Sequence, residues 1–284
     1  MEMDHTTTVA KRNLNLLLRL TKGSPGRDVF HAATVSALLL LTFFLILVIA
    51  SLGLFTTPAT LLKTLVSSEI LFAIRLSLVT ATAATTLSIL VAIPAAHALS
   101  QLEFPGKYIV DTILDLPVVI SPIALGAGLL VFFNTPLGVA IEGSLIEFVF
   151  QPAGIVLAQF TIVSALALRL MKATFDSIDP RYESVARTLG CNKVQAFFRV
   201  TLPLARNGLV AAIILTWARA LGEFGATVTL AGAVGMKTET LPIAIYLSLS
   251  TADVNKAVTT IFVLIGISFI VLLGLRKATG RSTV

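Results

Sequence analysis

Two charged residues lie within one apolar stretch in the C-terminal half of the sequence. Arg219 and Glu223 are four residues apart, so a helix would place them on one face, within reach of each other. Charges inside a membrane are costly and mark either a transport pathway or a structural pair. A free arginine in a pathway would hold an anion too tightly for turnover, since conduction requires weak binding. We therefore favour a structural ion pair, to which Asp111 or Asp115 of another apolar stretch could contribute.

The other residues that could do chemistry form no catalytic pattern. The histidines are scattered, and the single cysteine, Cys191, cannot form an internal disulfide. Asp111 and Asp115 could be imagined holding a metal, but no H-E-x-x-H, D-D-x-x-D or nucleophile elbow accompanies them. No G-x-x-x-x-G-K-[ST] loop occurs, so we expect this chain not to hydrolyse ATP. The sequence predicts neither an enzyme nor a metal site.

Composition places the chain in a membrane. Hydrophobic residues make up 56% of the sequence and charged residues 13%, and the mean hydropathy is +0.94, which exceeds what a soluble core requires. Six helical spans are predicted, at 30–55, 70–99, 108–133, 153–170, 204–231 and 257–275. The fold class is therefore an all-α integral membrane protein. We expect one six-helix domain at 30–276, an N-terminal tail at 1–29 that is either an interfacial helix or disordered, and a C-terminal tail at 277–284.

Two of the predicted spans have compositions that indicate their surroundings. Residues 70–99 are rich in Ala, Ser and Thr, and small residues allow close helix packing inside a bundle. Residues 108–133 contain two prolines and two glycines. Such residues at membrane depth indicate a kinked helix that lines a cavity.

The positive charges predict the orientation. Most of the 21 Lys and Arg residues fall before span one, between spans four and five, and after span six. Because cytoplasmic loops carry an excess of Lys and Arg, we expect both termini in the cytosol and the chain in the cell (inner or plasma) membrane. The net charge of +6 follows from this topology, so no nucleic-acid partner is predicted.

The longest polar and basic stretch between spans, residues 179–203, is termed the basic connector. Asp179 is predicted to cap a first helix, Gly190 to follow its end, and Asn192 with Gln195 to open a second helix. Such an ordered helix pair indicates a docking surface for a cytosolic partner. A plain structural hairpin is an open alternative. A DNA-reading helix-turn-helix is disfavoured because both ends are tied to membrane spans.

The basic connector carries a family signature. Glu183, Ala186, Gly190 and Leu202-Pro203 resemble the E-A-A…G…L-P signature of the permease subunits of binding-protein-dependent ABC importers, although Ser184 departs from its second residue. This resemblance implies the type I ABC importer permease fold, with the connector as coupling helices that sit in a cleft of an ATPase. The residues implied in that contact are Glu183, Ala186, Arg187, Leu189, Gly190, Cys191, Asn192 and Phe197.

Other segments indicate the cargo. DLPVVISPIALGAGLL from Asp115, WARALGEFGATVTLAGAV from Trp217 and TETLPIAIY from Thr238 resemble permeases for molybdate and tungstate. Sulfate and thiosulfate permeases share much of this pattern, especially A-L-G-E-F-G, so their cargo is an open alternative. An ion-coupled secondary transporter or channel would also have six or more spans, but it would not need the basic connector.

The resemblance also implies the partners. A second copy of the chain would complete the pathway, because six spans are few for a transport path and a two-fold dimer is economical. Two cytosolic ABC ATPase subunits would bind ATP and Mg, and an external solute-binding protein would deliver the anion. We expect this chain itself to bind no cofactor.

Neutral groups are the better candidates for the anion pathway, because hydroxyls and exposed backbone can hydrogen-bond oxygen atoms without trapping them. The residues predicted to line or gate it are Ser121, Pro122, Gly126, Gly128, Thr216, Gly222 and Phe224. Against this assignment, Ser and Thr of membrane helices often bond their own backbone or a neighbouring helix.

Overall fold

The structure, a computed structural model, describes residues 25–144 and 146–279. Every regular element within these ranges is helical. The chain forms two units, which are described separately. In the first, which ends at Thr57, helix α1 spans Pro25–Leu52 and a 3₁₀ turn follows at Gly53–Phe55. The interfacial helix considered for the N-terminal tail falls largely on residues 1–24, outside the described ranges.

The second unit, from Pro58 onward, contains the remaining helices. They are α2 (Pro58–Leu65), α3 (Ser68–Gln101), α4 (Lys107–Val119), α5 (Pro122–Phe133), α6 (Pro136–Ser144), α7 (Pro152–Asp176), α8 (Arg181–Thr188), α9 (Lys193–Ala196), α10 (Leu202–Leu221), α11 (Gly225–Ala231), α12 (Leu241–Ser250) and α13 (Val254–Thr279). A π-helical turn at Phe197–Thr201 joins α9 to α10.

Five described helices are long and apolar enough to cross a membrane, and a bent pair supplies a sixth candidate span. The five are Phe30–Phe55, Ser68–Gln101, Pro152–Asp176, Lys193–Leu221 and Val254–Gly274. The bent pair is α4 and α5, whose axes turn by 110°. These elements correspond to the six predicted spans, and the all-helical membrane fold is confirmed.

Two predicted spans are broken rather than continuous. The sequence predicts one kinked helix over 108–133, but α4 ends at Val119 and α5 restarts at Pro122. A proline lacks the backbone N–H that would continue the helix, and it is well tolerated at the first position of a new one. Residues 204–231 are likewise predicted as one helix, but α10 ends at Leu221 and α11 begins at Gly225.

The core of the second unit runs along α3, α7 and α10. α3 packs most extensively against α7 and also contacts α10. Alanines such as Ala81, Ala92 and Ala96 are buried on α3, which lets the helices approach closely. The Trp217 indole donates a hydrogen bond to the Thr82 hydroxyl at 3.0 Å, which ties α10 to α3. The small residues of this span therefore serve helix packing.

The shorter helices α5 and α11 cross at a glycine. A Cβ on Gly126 would lie 2.7 Å from Cα of Ala226 and 3.0 Å from Cβ of Thr229, closer than side chains pack. A Cβ on Gly128, one half-turn further, would meet nothing within 4 Å among the described atoms. The close approach of α5 to α11 therefore depends on Gly126.

We predict that Gly126→Ala lowers thermal stability while Gly128→Ala does not. The added methyl group has to push α11 away, and overpacking of this kind costs about 1–3 kcal/mol. Thermal unfolding of both purified variants in detergent measures the difference. Both variants replace a helical glycine by alanine, so the gain in helix propensity is common to both. Equal unfolding temperatures would contradict the crossing.

Candidate coupling and transport site

The basic connector begins with a short helix whose start is set by an aspartate. The carboxylate of Asp179 accepts a hydrogen bond from the amide of Arg181 at 2.9 Å. This bond satisfies a donor that a helix N-terminus leaves without an intrahelical partner. α8 begins at Arg181, one residue later than the sequence predicts, which is within the usual fraying of a helix end.

A glycine ends α8 and turns the chain. Gly190 has a φ of +93°, in the left-handed region that glycine adopts without steric cost. The amide of Cys191 donates to the carbonyl of Ala186 at 3.1 Å, and the amide of Gly190 donates to the carbonyl of Arg187 at 3.1 Å. These two bonds form a Schellman motif, which satisfies the last carbonyls of α8.

The second helix of the basic connector opens with a capping box. The Asn192 side chain accepts from the amide of Gln195 at 2.8 Å, and the Gln195 side chain accepts from the amide of Asn192 at 3.0 Å. From there the helix continues through the π-helical turn into α10, as one rod over Lys193–Leu221. From the sequence we predict the second helix of the connector and span five as separate helices, whereas in the structure they form one continuous helix.

Apolar side chains of the basic connector are exposed. Tyr182, Val185 and Leu189 all face outward, and Leu189 is 81% exposed. Ala186 and Ala196, one on each helix, are buried instead. Exposed apolar residues grouped among polar and basic ones are typical of a protein interaction surface.

Aromatic packing anchors the connector on the spans. The ring centroid of Phe197 lies 4.6 Å from that of His97 on α3 and 6.2 Å from that of Phe175 on α7. The Thr201 hydroxyl donates to the carboxylate of Glu183 at 3.3 Å, which links α8 to the π-helical turn. These contacts join the connector to α3, α7 and α10.

At the far end of α10, Arg219 and Glu223 form an ion pair. Arg219 Nη1 lies 2.6 Å from Glu223 Oε2. The Glu223 side chain is 1% exposed and that of Arg219 is 38% exposed. Glu223 Oε1 also accepts from the amide of Ala226 at 3.0 Å, near the start of α11. Glu223 thus pairs with Arg219 and caps α11 at the same time.

The break after α10 involves a residue that sequence reasoning missed. Gln159 of α7 is buried, and its Nε2 donates to the carbonyl of Ala220 at 3.1 Å. The same carbonyl accepts from the amide of Glu223 at 3.1 Å, so the bond from Gln159 is a second one, which ties α7 to the end of α10. The only sequence signal was a glutamine within an otherwise apolar part of the predicted span 153–170.

Asp111 and Asp115 do not join the Arg219–Glu223 pair. Both carboxylates pair with Arg169 of α7: Arg169 Nη1 lies 2.8 Å from Asp111 Oδ1, and Arg169 Nε contacts Asp115 Oδ1. The guanidinium also donates to the Asp111 carbonyl at 2.7 Å. α4 packs against α7, which brings the aspartates to Arg169 instead. The expected contribution of Asp115 to the pair in span five is therefore wrong.

Five residues predicted for the pathway divide into exposed and buried ones. Ser121, Gly128 and Gly222 are exposed. Gly126 and Thr216 are buried within the chain, Gly126 at the crossing of α5 with α11. The place of all five residues in the pathway stays a prediction.

The other two pathway residues, Pro122 and Phe224, lie at the breaks and are partly buried. Pro122 is the first residue of α5, where the Ser121 hydroxyl accepts from the amide of Ala124 at 3.3 Å and caps the helix. The Phe224 ring centroid lies 5.3 Å from that of Tyr246 on α12. Both residues therefore stabilise a broken span.

Solved structures share this arrangement of helices. A chain of a bacterial alginate ABC transporter, in complex with an alginate pentasaccharide-bound periplasmic protein, matches with a TM-score of 0.71 and 18% identity over 90% of this chain and 97% of that one. A chain of the MetNI methionine ABC transporter matches with a TM-score of 0.59 and 18% identity over 76% and 97%. The fold is that of type I ABC importer permeases.

The sequence also matches a family model. Residues 84–276 match the model described as "Binding-protein-dependent transport system inner membrane component". The chain belongs to this family. It is therefore a multi-pass inner-membrane component of a transport system and not an enzyme.

Named relatives cover most of the chain. A probable molybdenum ABC transporter permease of Haloferax volcanii is 34% identical over 80% of this chain and 82% of its own length. The molybdenum permease ModB of Escherichia coli is 35% identical over 63% and 80%. The sulfate permease CysW of Synechococcus elongatus is 33% identical over 74% and 76%.

We predict that the two charges at the end of α10 are unequal in their effect on stability. Arg219→Ala leaves the buried carboxylate of Glu223 without its cation, which should cost about 3 kcal/mol. Glu223→Gln leaves Arg219, whose side chain is only partly buried, and keeps an acceptor for the amide of Ala226, so it should cost less. Thermal unfolding of both variants measures the difference.

The double variant of Arg219→Ala with Glu223→Gln serves as the control for this pair. It removes both charges at once, so its loss of stability should be smaller than the sum of the two single losses. Strictly additive losses would show that the two side chains do not stabilise each other.

Proposed function

We propose that this chain is the membrane-spanning subunit of an ATP-driven importer for molybdate and tungstate. The observation that carries the proposal is the similarity to molybdenum permeases, at 34% and 35% identity over most of their length. The segments that resemble this group, from Asp115 and from Trp217, contain the two breaks in the spans. The segments that resemble molybdate and tungstate permeases are therefore the segments in which the two spans break.

The broken spans suit the passage of an oxyanion. Irregular backbone at membrane depth is tolerated where it lines a cavity. Ser121, Gly128 and Gly222 are exposed near the breaks and offer neutral groups to oxygen atoms. Arg219 and Arg169 are held by carboxylates, so neither guanidinium is free to trap a divalent anion.

A sulfate importer is the second candidate function. The observation that favours it is the sulfate permease of Synechococcus elongatus, at 33% identity over 74% of this chain. Sulfate and molybdate are both tetrahedral dianions, so neutral hydrogen-bonding groups do not separate them. We expect the external binding protein to set the choice between them.

The proposed assembly has two copies of this chain, two cytosolic ABC ATPase subunits and one external solute-binding protein. The exposed apolar side chains of Tyr182, Val185 and Leu189 support docking of an ATPase on the basic connector. Both termini and the connector would then lie in the cytosol. ATP and Mg would bind to the ATPase, and this chain would bind no cofactor.

ATP hydrolysis by the reconstituted complex tests the cargo. The chain, its ATPase and its binding protein are placed in vesicles, and molybdate, tungstate or sulfate is supplied outside. We expect molybdate and tungstate to raise ATP turnover and sulfate to have little effect. Stimulation by sulfate alone would replace the proposal by the second candidate, and no stimulation by any of the three would contradict both.

We predict that Glu183→Lys weakens ATPase binding by about tenfold, the equivalent of about 1.4 kcal/mol. The reversal breaks the bond from Thr201 and adds a cation to a basic surface. Glu103→Lys is the matched control, because Glu103 is an exposed carboxylate in the loop expected on the same side, where it pairs with Lys107. Co-purification with the ATPase measures both, and equal retention would contradict the docking role.

Labelling of Cys191 gives an independent readout of the same proposal. This residue is the single cysteine of the sequence and is partly exposed beside the Schellman turn. A membrane-impermeant maleimide should modify it only from the cytosolic side, and bound ATPase should protect it. Modification from outside would overturn the orientation.

A further inference from the structure

The buried core along α3, α7 and α10 is divided into two apolar clusters. One cluster, which also packs against the basic connector, contains Ala92 of α3 and Ala212 of α10. The other, which also includes residues of the broken spans, contains Ala81 of α3 and Ala220 of α10. Residue numbers rise along α3 as they fall along α10, so the two helices run antiparallel. Each helix therefore passes from one apolar cluster to the other.

The layer between the two clusters is polar. It contains Thr85 and Ser88 of α3 and Thr216 of α10, and each of these residues is at most 3% exposed. Thr85 lies one turn after Ala81, and Thr216 lies one turn after Ala212, so both are on the faces that pack in the core. None of the three hydroxyl oxygens has a hydrogen-bond partner among the described residues. A buried hydroxyl without a partner is costly, so these groups need one that the neighbouring side chains do not supply.

One hydrogen bond places the hydroxyls of the two helices at a similar level. The indole of Trp217 on α10 donates to the hydroxyl of Thr82 on α3. Thr216 precedes Trp217 by one residue, and Thr85 follows Thr82 by three. With a rise of 1.5 Å per residue in antiparallel helices, Thr85 and Thr216 differ by about 3 Å along the bundle. Ser88 lies almost one turn further along the same face of α3. A single small molecule can therefore contact both helices.

The chemistry of the layer fits water. A hydroxyl can donate and accept, as water can, and buried water makes about three hydrogen bonds to polar groups that lack other partners. A hard metal cation prefers a larger set of oxygen ligands that includes carboxylates. The two fully buried carboxylates of the described residues lie elsewhere, with Glu223 bonded at the start of α11 and Glu239 bonded in the loop before α12. The layer is therefore a neutral site.

We infer that this layer binds buried water, which bridges the hydroxyl of Thr216 on α10 to that of Thr85 on α3 and extends to Ser88. Hydrogen bonds between helices contribute to their association within a membrane, and a bridging water is nearly as favourable as a direct bond. The water joins α3 to the helix that carries the basic connector, at the level where the two apolar clusters are separate. The inference goes beyond the proposed function and does not depend on the cargo.

Thermal unfolding of the purified full-length chain in detergent tests the water through the sign of one substitution. Thr216→Val keeps the shape of the side chain and removes the hydroxyl. If water bridges the layer, the variant loses a hydrogen bond, and the unfolding temperature should fall by about 2–4 °C. A rise in the unfolding temperature would show that the hydroxyl is dry and without a partner, which would overturn the inference.

Thr80→Val is the matched control. Thr80 is a buried threonine of α3 whose hydroxyl donates to the carbonyl of Ser77 within the same helix, at 3.4 Å. That carbonyl belongs to the same helix and needs no water, so Thr80→Val should lower the unfolding temperature less than Thr216→Val. Equal shifts for the two variants would indicate that Thr216 bonds its own backbone and would overturn the bridge.

The double variant of Thr85→Val with Thr216→Val tests whether the two helices share the water. Because either substitution alone breaks the bridge, the combined loss of stability should be smaller than the sum of the single losses. Strictly additive losses would overturn the bridge between α3 and α10.

An experimental structure that shows ordered water gives a direct readout. We expect a water peak within about 2.7–3.2 Å of both the Thr85 and the Thr216 hydroxyl oxygens. Thr216→Val should remove this peak and Thr80→Val should keep it. A layer without the peak would overturn the inference. None of these measurements has a transport readout, so their failure is separate from any failure of the proposed importer.

Discussion

A bilayer supplies no hydrogen bonds to backbone, so every helix end at membrane depth needs a partner from the protein. This chain breaks two of its spans, between Val119 and Pro122 and between Leu221 and Gly225, and exposes helix ends at both places. Side chains add hydrogen bonds at both places. Ser121 caps α5, Glu223 caps α11, and Gln159 binds a carbonyl at the end of α10. These bonds fasten the irregular backbone to the helices around it.

The ion pairs follow from the same constraint. Glu223 is a stronger acceptor than a neutral cap, but a buried carboxylate is costly without a cation. Arg219, one turn earlier on α10, supplies that cation. At the other break, Arg169 of α7 binds both aspartates of α4 and so holds the first half of the bent pair against the bundle. Each broken span is therefore held by a buried or partly buried charge cluster.

The sequence predicts best what local chemistry determines. The capping box at Asn192, the turn at Gly190 and the i,i+4 pair of Arg219 with Glu223 depend on residues within a few positions, and the structure contains all three contacts. Contacts between distant segments were missed: Gln159 meets a carbonyl 61 residues away, and Arg169 meets Asp115 across 54. Nothing in the spacing of these residues indicates which helices pack together.

The continuous helix from Lys193 to Leu221 connects the basic connector to the break after α10. One end of this rod is the second helix of the basic connector, and the other end is the break held by Arg219 and Glu223. A rod cannot absorb a displacement along its length, but a π-helical turn is a common place for a helix to adjust. The turn at Phe197–Thr201 lies between connector and span, where Thr201 binds Glu183. A force on the connector therefore reaches the broken end of span five through α10 unless this turn yields first, and the hydrogen bond from Thr201 to Glu183 opposes that yielding.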